Sequence, residues 1–205
     1  MRKINKSIPK DGFNGSKYKG NCDTWEKFHK NYKSIYEELR INILTKEQNY
    51  LDGYTEIYID ENNICSCHID HYKKKDLFPK LTFDLNNYIV ATLDDEFGAR
   101  YKDNKYKIRR EEYAEIFDPI IDNIETFMYY NKWGGVEPKA NLSAADKAKV
   151  EKTIEVFNLN HSSLKKRREA LIKLLESYND FSGSEIKEIL KGQGFISVIE
   201  QEITD

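Results

Sequence analysis

The spacing of apolar residues changes along the chain, and each change predicts a different element. From Trp25 to about Leu44 aromatic and aliphatic residues recur every three or four positions after a possible cap at Thr24, which predicts a helix with a buried face. Residues 56–60 and 64–70 instead alternate polar and apolar around a turn at 61–63, which predicts a two-stranded ribbon ending at Asp70. Residues 87–92 predict a further short strand.

Beyond about residue 110 the apolar spacing becomes helical. Helices are predicted over 110–117, which stops before Pro119, over 120–130, from Ser143 through 157, over 164–178, and from Ser182 to near Gly192, with a loop or tight hairpin at 133–138. Residues 1–20 are rich in Lys, Gly and Ser with little periodicity, which indicates an extended basic arm.

Composition indicates a folded chain that does not enter a membrane. Among 205 residues, 39% are hydrophobic, and 14 Tyr and 10 Phe supply more aromatic mass than disordered chains carry. No apolar run reaches the length of a membrane span, and the first residues do not lead into the apolar core of a secretory signal, so we expect a cytoplasmic protein. Cys22, Cys65 and Cys67 cannot pair completely, and reduced thiols are expected.

The charges are segregated, although the net charge is only -2. Residues 1–20 hold six Lys or Arg against one Asp, and residues 98–110 repeat that ratio. Lys73, Lys74 and Lys75 form a third basic group, whereas acidic residues gather at 111–125. A basic face that contacts nucleic acid is one interpretation, and solvated helix surfaces are the other.

The dipeptide Asp70-His71 carries the chemistry that the sequence suggests. Phosphodiester cleavage needs a deprotonated water and a cation near the leaving oxygen, so Asp70 can hold Mg²⁺ (or Mn²⁺) while His71 acts as general base. Neighbouring side chains on a strand point in opposite directions, so both roles require the backbone to bend at this point. A histidine in a half-buried strand is more often packed and hydrogen-bonded than catalytic.

Two further positions complete the predicted site. Mg²⁺ takes few protein oxygens, and among Asp94, Asp95 and Glu96 we expect Asp95 to supply the next ligand. Asn87 can pin the loop and orient the imidazole. A zinc site from Cys65, Cys67 and His68 is too tightly spaced, and the chain has no phosphate-binding loop, dinucleotide fingerprint or serine-nucleophile elbow.

The chain resembles the HNH (ββα-metal) nuclease subunits of Septu-type and retron-associated anti-phage systems, the PtuB-like proteins. The resemblance is carried by Tyr54-Thr55-Glu56, by residues 68–79 around His68-Ile69-Asp70-His71, and by residues 81–87, which end in Asn86-Asn87. It extends to Met1-Arg2-Lys3-Ile4, Thr153-Ile154, Asn158-Leu159-Asn160 and Arg167-Arg168.

This resemblance implies a metal-dependent nuclease that acts on DNA or RNA beside an ABC-type or SMC-like ATPase, PtuA-like in that family. It implies that His71 is the general base, Asp70 a metal ligand and Asn87 the motif asparagine. Many relatives carry zinc on two Cys-x-x-Cys pairs, but here the first pair reads Asp52 and Thr55 and the region 92–95 has no cysteine. A structural zinc is therefore not expected.

We therefore expect an α+β protein with a small ββα-metal core at 51–105, an arm and helix at 1–50 and a helical region at 106–205. Lys73, Lys74, Lys75, Arg100 and Lys102 are expected to contact backbone phosphates without base specificity. The competing interpretation is an HNH-like module that lost efficient catalysis and acts by binding an ATPase or nucleic acid.

Overall fold

Two antiparallel strand pairs and a set of helices build an α+β fold, as the sequence predicts. The computed structural model describes residues 1–7, 22–60 and 66–203. None of the helices in these ranges combines the length and the apolar composition needed to cross a bilayer.

The aromatic stripe after Thr24 forms helices, as predicted. Helix α1 spans Trp25–Asn31, and the Thr24 side chain accepts a hydrogen bond from the backbone N–H of Lys27. Helix α2 spans Lys33–Asn42 and continues into a π-helical turn, Ile43–Glu47. Apolar side chains of this region pack against residues 59–90 to form the small core, which comprises Cys22, Phe28, Tyr36, Leu39, Ile43, Leu44, Ile59, Cys67, Ile69, Tyr88 and Val90.

Strand β1, Cys67–His71, pairs with strand β2, Tyr88–Thr92, in an antiparallel register that sets Ile69 opposite Val90. The predicted ribbon between 56–60 and 64–70 is wrong for its described part, because residues 56–60 form only an isolated bridge from Tyr58 to Leu51. The turn predicted at 61–63, and residues 64 and 65 with it, lie outside the described residues. The predicted strand at 87–92 is confirmed.

Both faces of this strand pair are buried, which is why the pair can carry apolar residues at nearly every position. Ile69 and Val90 face the small core, and Ile89 and Ala91 face the larger main core. The main core also includes residues from the beginning and the end of the chain, such as Ile4, Phe157 and Val198. All three predicted segments, 1–50, 51–105 and 106–205, therefore share one packed interior.

After β2 the chain enters a short helix α3, Gly98–Arg100, which runs directly into a π-helical segment, Tyr101–Tyr106. A left-handed residue, Lys107, ends that segment. The helix predicted at 110–117 is only a 3₁₀ turn, Glu111–Ala114. The helix predicted at 120–130 is also wrong, because it gives way to a 3₁₀ turn, Ile124–Thr126, and to strand β3, Met128–Tyr130.

In the C-terminal half, the observed helices agree more closely with those predicted from the capping residues. Strand β3 pairs with β4, Val136–Pro138, in the hairpin that the sequence allowed at 133–138. Helix α4, Ala144–Phe157, starts at the predicted Ser143 cap, and α5 spans Ser162–Leu175. Helix α6, Gly183–Ile189, begins with the predicted capping box of Ser182 and Glu185. Helix α7, Ile196–Glu202, was not predicted from the sequence.

The first residues do not form a loose arm over their described part. Met1 and Ile4 are buried in the main core, and Lys6 Nζ donates to the Tyr88 carbonyl at 2.9 Å. The arm prediction is therefore wrong for residues 1–7, because two apolar side chains anchor them. The remainder of the predicted arm, residues 8–20, lies outside the described residues.

Candidate functional site

Strand β1 carries Asp70 and His71 on opposite faces, because the strand continues straight through both residues. Asp70 lies opposite Ile89, on the face turned to the main core, and His71 lies opposite Tyr88, on the face turned to the small core. Both side chains are about 6% exposed. The bend that would bring the carboxylate and the imidazole to one reaction centre is not present.

The Asp70 carboxylate has two internal partners. The Tyr54 hydroxyl donates to Asp70 Oδ2 at 2.5 Å, and the Lys102 ammonium lies 3.5 Å from the same oxygen. Tyr54 and Lys102 are fully buried. Burial, reinforced by the neighbouring Asp70 charge, raises the pKa of Tyr54 well above its usual value, so the phenol keeps the proton that it donates.

Lys102 is the centre of this polar cluster. Its ammonium donates to Asp103 Oδ1 at 2.7 Å and to the carbonyl oxygens of His71 and Tyr72 at 3.4 and 3.3 Å. Burial works to lower the pKa of Lys102, but the Asp70 and Asp103 carboxylates outweigh it and raise the pKa above its ordinary value. Lys102 is therefore a permanent cation held among two carboxylates and two carbonyls.

The π-helical segment Tyr101–Tyr106 carries one lysine of the basic run into the interior. A π-helical turn is wider than an α-helical one and is often found at specialised sites. Lys102 is its buried residue, and Lys105 on the same segment is exposed and pairs with Glu96.

These residues do not fit a Mg²⁺ ion at Asp70. The ammonium of Lys102 already lies 3.5 Å from that carboxylate, and it would repel a second cation at the same oxygens in a poorly screened interior. Mg²⁺ also retains several waters, for which a carboxylate that is 6% exposed leaves little room. Among the described residues, no group of three or more His, Cys, Asp or Glu side chains is arranged to hold a metal ion.

His71 is packed between aromatic rings. Its ring centroid lies 4.7 Å from that of Trp25 and 5.2 Å from that of Tyr88, both edge-on. Nε2 lies 3.0 Å from the Thr82 carbonyl oxygen, and because a carbonyl only accepts, Nε2 carries the proton. Burial lowers the pKa of His71 to about 4, so the imidazole is neutral near pH 7.

Asn87 pins the loop that joins β1 to β2, as the sequence predicts. Its Oδ1 accepts from the Lys73 backbone N–H at 2.7 Å, and its Nδ2 donates to the Lys73 carbonyl at 2.9 Å. The same Nδ2 reaches the Leu81 carbonyl at 3.4 Å, next to the Thr82 carbonyl that holds His71. Asn87 therefore fixes the loop backbone beside the carbonyl that accepts from His71, and its role in orienting the imidazole stays a prediction.

The three carboxylates predicted as candidates for the second metal ligand are bound to other groups. Asp95 pairs with Arg100 at 2.9 Å, Glu96 pairs with Lys105, and Asp94 accepts from the backbone N–H of Glu96 at 2.7 Å. The carboxylate that shares a cation with Asp70 is Asp103. The structure therefore brings Asp70 together with Asp103 instead of with Asp95.

The predicted phosphate-binding residues are largely engaged within the chain. The prediction for Lys102 is wrong, because its side chain is fully buried. Lys75 pairs with Glu26 at 3.0 Å, and Arg100 pairs with Asp95. Lys73 and Lys74 are half-buried, and Lys74 Nζ lies 3.5 Å from the Asp103 carbonyl.

Asp52 holds together the two places where the resemblance would put cysteine pairs. Its Oδ1 accepts from the backbone N–H groups of Tyr54 and Thr55 at 2.9 and 2.8 Å. Its Oδ2 accepts from the Thr92 backbone N–H at 2.6 Å and from the Thr92 hydroxyl at 2.9 Å. A single buried carboxylate therefore joins the turn at 52–55 to the end of β2.

Sequence reasoning missed Tyr54 and Lys102 as partners of Asp70, and it missed Asp103 as the second carboxylate that contacts Lys102. Lys102 stood among six basic residues, and nothing local marks which one is buried. The one available signal was Asp103, the single acidic residue of that run.

Comparison with known proteins adds no assignment, because no family model and no curated protein matches this chain.

Proposed function

We propose that this chain is an HNH-like ββα module that works by binding a partner protein and has no metal-dependent cleavage at Asp70. The observation that carries this proposal is the Lys102 ammonium, which is fully buried 3.5 Å from Asp70 Oδ2. A lysine held there supplies the positive charge that a divalent cation would otherwise bring to the carboxylate. The binding interpretation is thereby favoured over the nuclease.

The order of elements supports an HNH-like description. Strands β1 and β2 are followed by the helical segment 98–106, and Asn87 pins the loop between the strands. The turn at 52–55 and Thr92 meet at Asp52, where the resemblance implies a zinc in many relatives. In this proposal Asp52 takes the linking role of that zinc, and Lys102 takes the place of the catalytic cation.

A protein partner is favoured over nucleic acid because several of the predicted phosphate-binding side chains are buried or already paired with carboxylates. Strong phosphate binding needs several cations that can exchange their counterions for phosphates. Here Lys102 is buried, while Lys75 and Arg100 already have carboxylate partners. The partner that the resemblance implies is an ABC-type or SMC-like ATPase, and we propose that this chain docks on such a protein.

The metal-dependent nuclease is the second candidate, favoured by the position of Asp70, His71 and Asn87 at one end of the β1–β2 pair. Cleavage assays on single-stranded DNA, duplex DNA and RNA with Mg²⁺ or Mn²⁺ separate the two candidates. We expect no cation-dependent cleavage from the parent protein, and no difference between it and His71→Ala. We also expect the same shift of melting temperature with Mn²⁺ for the parent and Asp70→Asn, since a cation bound at Asp70 would stabilise the parent alone.

Cleavage that requires a divalent cation and is lost in His71→Ala would replace the binding module with the nuclease. The positive arm of the test is co-expression with an ABC-type ATPase encoded beside this chain, followed by measurement of a complex of defined stoichiometry. Failure to form that complex, together with tight and salt-dependent nucleic-acid binding, would overturn the choice of a protein partner.

A further inference from the structure

A cavity of about 630 Å³ lies away from Asp70, His71 and Asn87, and none of these three residues lines it. Its walls come from the N-terminal segment at 2–5, from residues 47–58 and from the C-terminal region at 187–200. The volume lies within the range of pockets that hold small-molecule ligands and cofactors. The proposed binding role shares one wall residue with this cavity, Asp52, whose carboxylate is bound to Tyr54, Thr55 and Thr92.

Unusual backbone conformations gather around this cavity. Asn49, Tyr50 and Glu56 line it with φ values of 48°, 63° and 62°, in the left-handed region that non-glycine residues rarely adopt. Gly192 and Gly194, with φ of 86° and 78°, line the opposite wall. The other non-glycine left-handed residues in the described ranges are Lys107 and Asn158, which end helical segments, and Phe195, which follows Gly194. Asn49 and Tyr50 directly follow the helical turn Ile43–Glu47, so among the described non-glycine residues Glu56 is the one that is left-handed away from a helix end, and strained residues of that kind cluster at ligand sites.

Tight packing maintains this conformation. A Cβ atom on Gly194 would lie 2.6 Å from the Glu56 carbonyl oxygen, so only glycine fits there. The backbone N–H of Phe195 donates to that same oxygen at 2.7 Å. The two walls of the cavity are therefore fixed to each other, and the cavity is preformed.

Three of the four acidic groups of the cavity wall are held by internal partners. Asp52 accepts four hydrogen bonds from the backbone and from Thr92. Glu56 is paired with the Met1 ammonium at 2.8 Å and accepts from the Ser197 backbone N–H. Glu47 binds Lys6 and Ser7. These carboxylates have little capacity left for a ligand.

The cationic groups of the wall are weakly engaged. Lys187 reaches Glu200 only at 3.8 Å, and Lys191 reaches Glu188 only at 3.7 Å, with both lysines more than half exposed. Lys3 makes no ion pair with any residue in the described ranges. The fourth acid, Glu200, pairs with Arg2 of the same wall at 3.4 Å. The charge available to an incoming ligand is therefore positive, although the wall contains acids and bases in similar number.

Two aromatic rings complete the lining. Tyr50 and Tyr58 are half-buried, and their ring centroids lie 6.1 Å apart with a tilt of 39°. Aromatic rings beside cationic side chains suit a ligand that has a planar ring and an anionic group. We propose that this cavity binds a nucleoside monophosphate, with Lys3, Lys187 and Lys191 serving the phosphate and Tyr50 and Tyr58 serving the base. This inference is independent of the proposed binding role.

The test is isothermal titration of the full chain with AMP, GMP, CMP and UMP, with adenosine and inorganic phosphate as partial probes. We expect at least one nucleotide to bind and to raise the melting temperature, and each partial probe to bind about tenfold more weakly or worse, since each lacks one recognised group. Absence of binding by all four nucleotides would overturn the proposal. Equal affinity for inorganic phosphate would overturn it as well, because an unspecific anion site would explain that result.

Substitutions inside and outside the cavity test whether the nucleotide binds in the cavity. Lys187→Gln/Lys191→Gln should weaken nucleotide binding about tenfold, whereas Lys139→Gln/Lys166→Gln, which removes two charges from outside the cavity, should leave it unchanged. Tyr58→Leu should weaken binding, and Tyr58→Phe, which keeps the ring, should retain it. Unliganded melting curves and circular dichroism identify variants that fail to fold. Equal loss in both double variants would assign the binding to net charge and reject the cavity.

Discussion

At the scale of single residues, the decisive feature is a buried cation that the chain supplies itself. Lys102 lies among Asp70, Asp103 and two backbone carbonyls, with no exposed side-chain surface. An ion pair that is removed from water costs desolvation for each partner, and removal of one partner leaves an uncompensated charge in the interior. The cluster is therefore intolerant of partial changes.

Lys102→Met keeps the length of the side chain and removes its charge. We expect the free energy of unfolding to fall by about 3–5 kcal/mol, because Asp70 and Asp103 would share a poorly solvated site without a counter-charge. Urea denaturation measures this loss. Lys105→Met, on the same segment but exposed, is the control and should change stability far less.

The double variant Lys102→Met/Asp70→Asn should regain part of that stability, because it removes one of the two unpaired carboxylates. If Lys102→Met were as stable as the parent protein, the buried charge of Lys102 would not contribute to the stability of the fold.

At the scale of elements, the β3–β4 hairpin is fixed to helix α5 by a close approach of backbones. Gly134 sits at the hairpin turn with φ of 71°, and a Cβ there would lie 2.2 Å from the Lys165 carbonyl oxygen. The Asn131 side chain accepts from the backbone N–H groups of Trp133 and Gly135 at 3.0 and 2.9 Å. The turn therefore requires glycine for two reasons, its left-handed conformation and the space it leaves.

Gly134→Ala should separate the hairpin from α5 and destabilise the fold by at least about 2 kcal/mol. Hydrogen exchange at residues 128–138, together with urea denaturation, measures the effect. Gly183→Ala is the matched control, because its Cβ would meet only the Ile203 side chain at 3.4 Å or more, and alanine favours a helix. Equal effects of the two substitutions would show that backbone proximity at Gly134 does not matter.

At the scale of the whole molecule, distant segments are joined by buried polar contacts as well as by the main core. The Met1 ammonium lies 2.8 Å from Glu56 Oε1 and donates to the Tyr130 hydroxyl at 3.0 Å, and Glu56 also accepts from the Ser197 backbone N–H. Burial works to raise the pKa of Glu56, but the Met1 ammonium and the hydrogen bonds outweigh it and lower the pKa to about 2. Four residues far apart in sequence, Met1, Glu56, Tyr130 and Ser197, therefore meet in one buried polar cluster.

Global stability should fall in mild acid because of His71. Its pKa is lowered to about 4 in the folded state, so below the ordinary value of 6.5 the unfolded chain binds the proton more readily. Above about pH 6.5 the neutral imidazole makes its full contribution to the free energy of unfolding. This contribution is lost as the pH falls towards 4. The slope approaches about 1.4 kcal/mol per pH unit.

Urea denaturation at several values between pH 7 and pH 4.5 measures this slope. In His71→Gln the slope of the free energy of unfolding against pH should be smaller by up to about 1.4 kcal/mol per pH unit, which corresponds to one proton. His29→Gln, at an exposed position, is the control and should keep the slope of the parent. An unchanged slope in His71→Gln would assign the acid sensitivity to other groups.

Much of the helical structure was predictable because its signals are local. Thr24, Ser143 and Ser182 each accept a hydrogen bond from a backbone N–H in the first turn of the helix that follows. A cap and a few apolar positions at helical spacing lie within one or two turns of chain, so the sequence alone indicates them. The strand at 87–92 was equally clear from its continuous apolar run.

Strand pairing was not predictable in the same way, since a strand's partner is chosen by the rest of the fold. The alternating residues at 56–60 suggested a ribbon with 64–70, yet β1 pairs with β2 across the loop of residues 72–87. Both faces of that pair are covered, one by the helices after Thr24 and the other by the main core. Burial on two sides, which only tertiary packing provides, decided the pairing.

The sequence by itself determined the α+β class, the start of the main helices and the loop-pinning asparagine, because each depends on neighbours within a few residues or on an amide whose partners are nearby backbone. Tertiary structure alone decided that Asp70 and His71 face apart and that Lys102 is buried against Asp70. A lysine in a basic run has the same local signature whether it ends in water or in the interior. Its state is set by two carboxylates and two carbonyls that the fold brings to it.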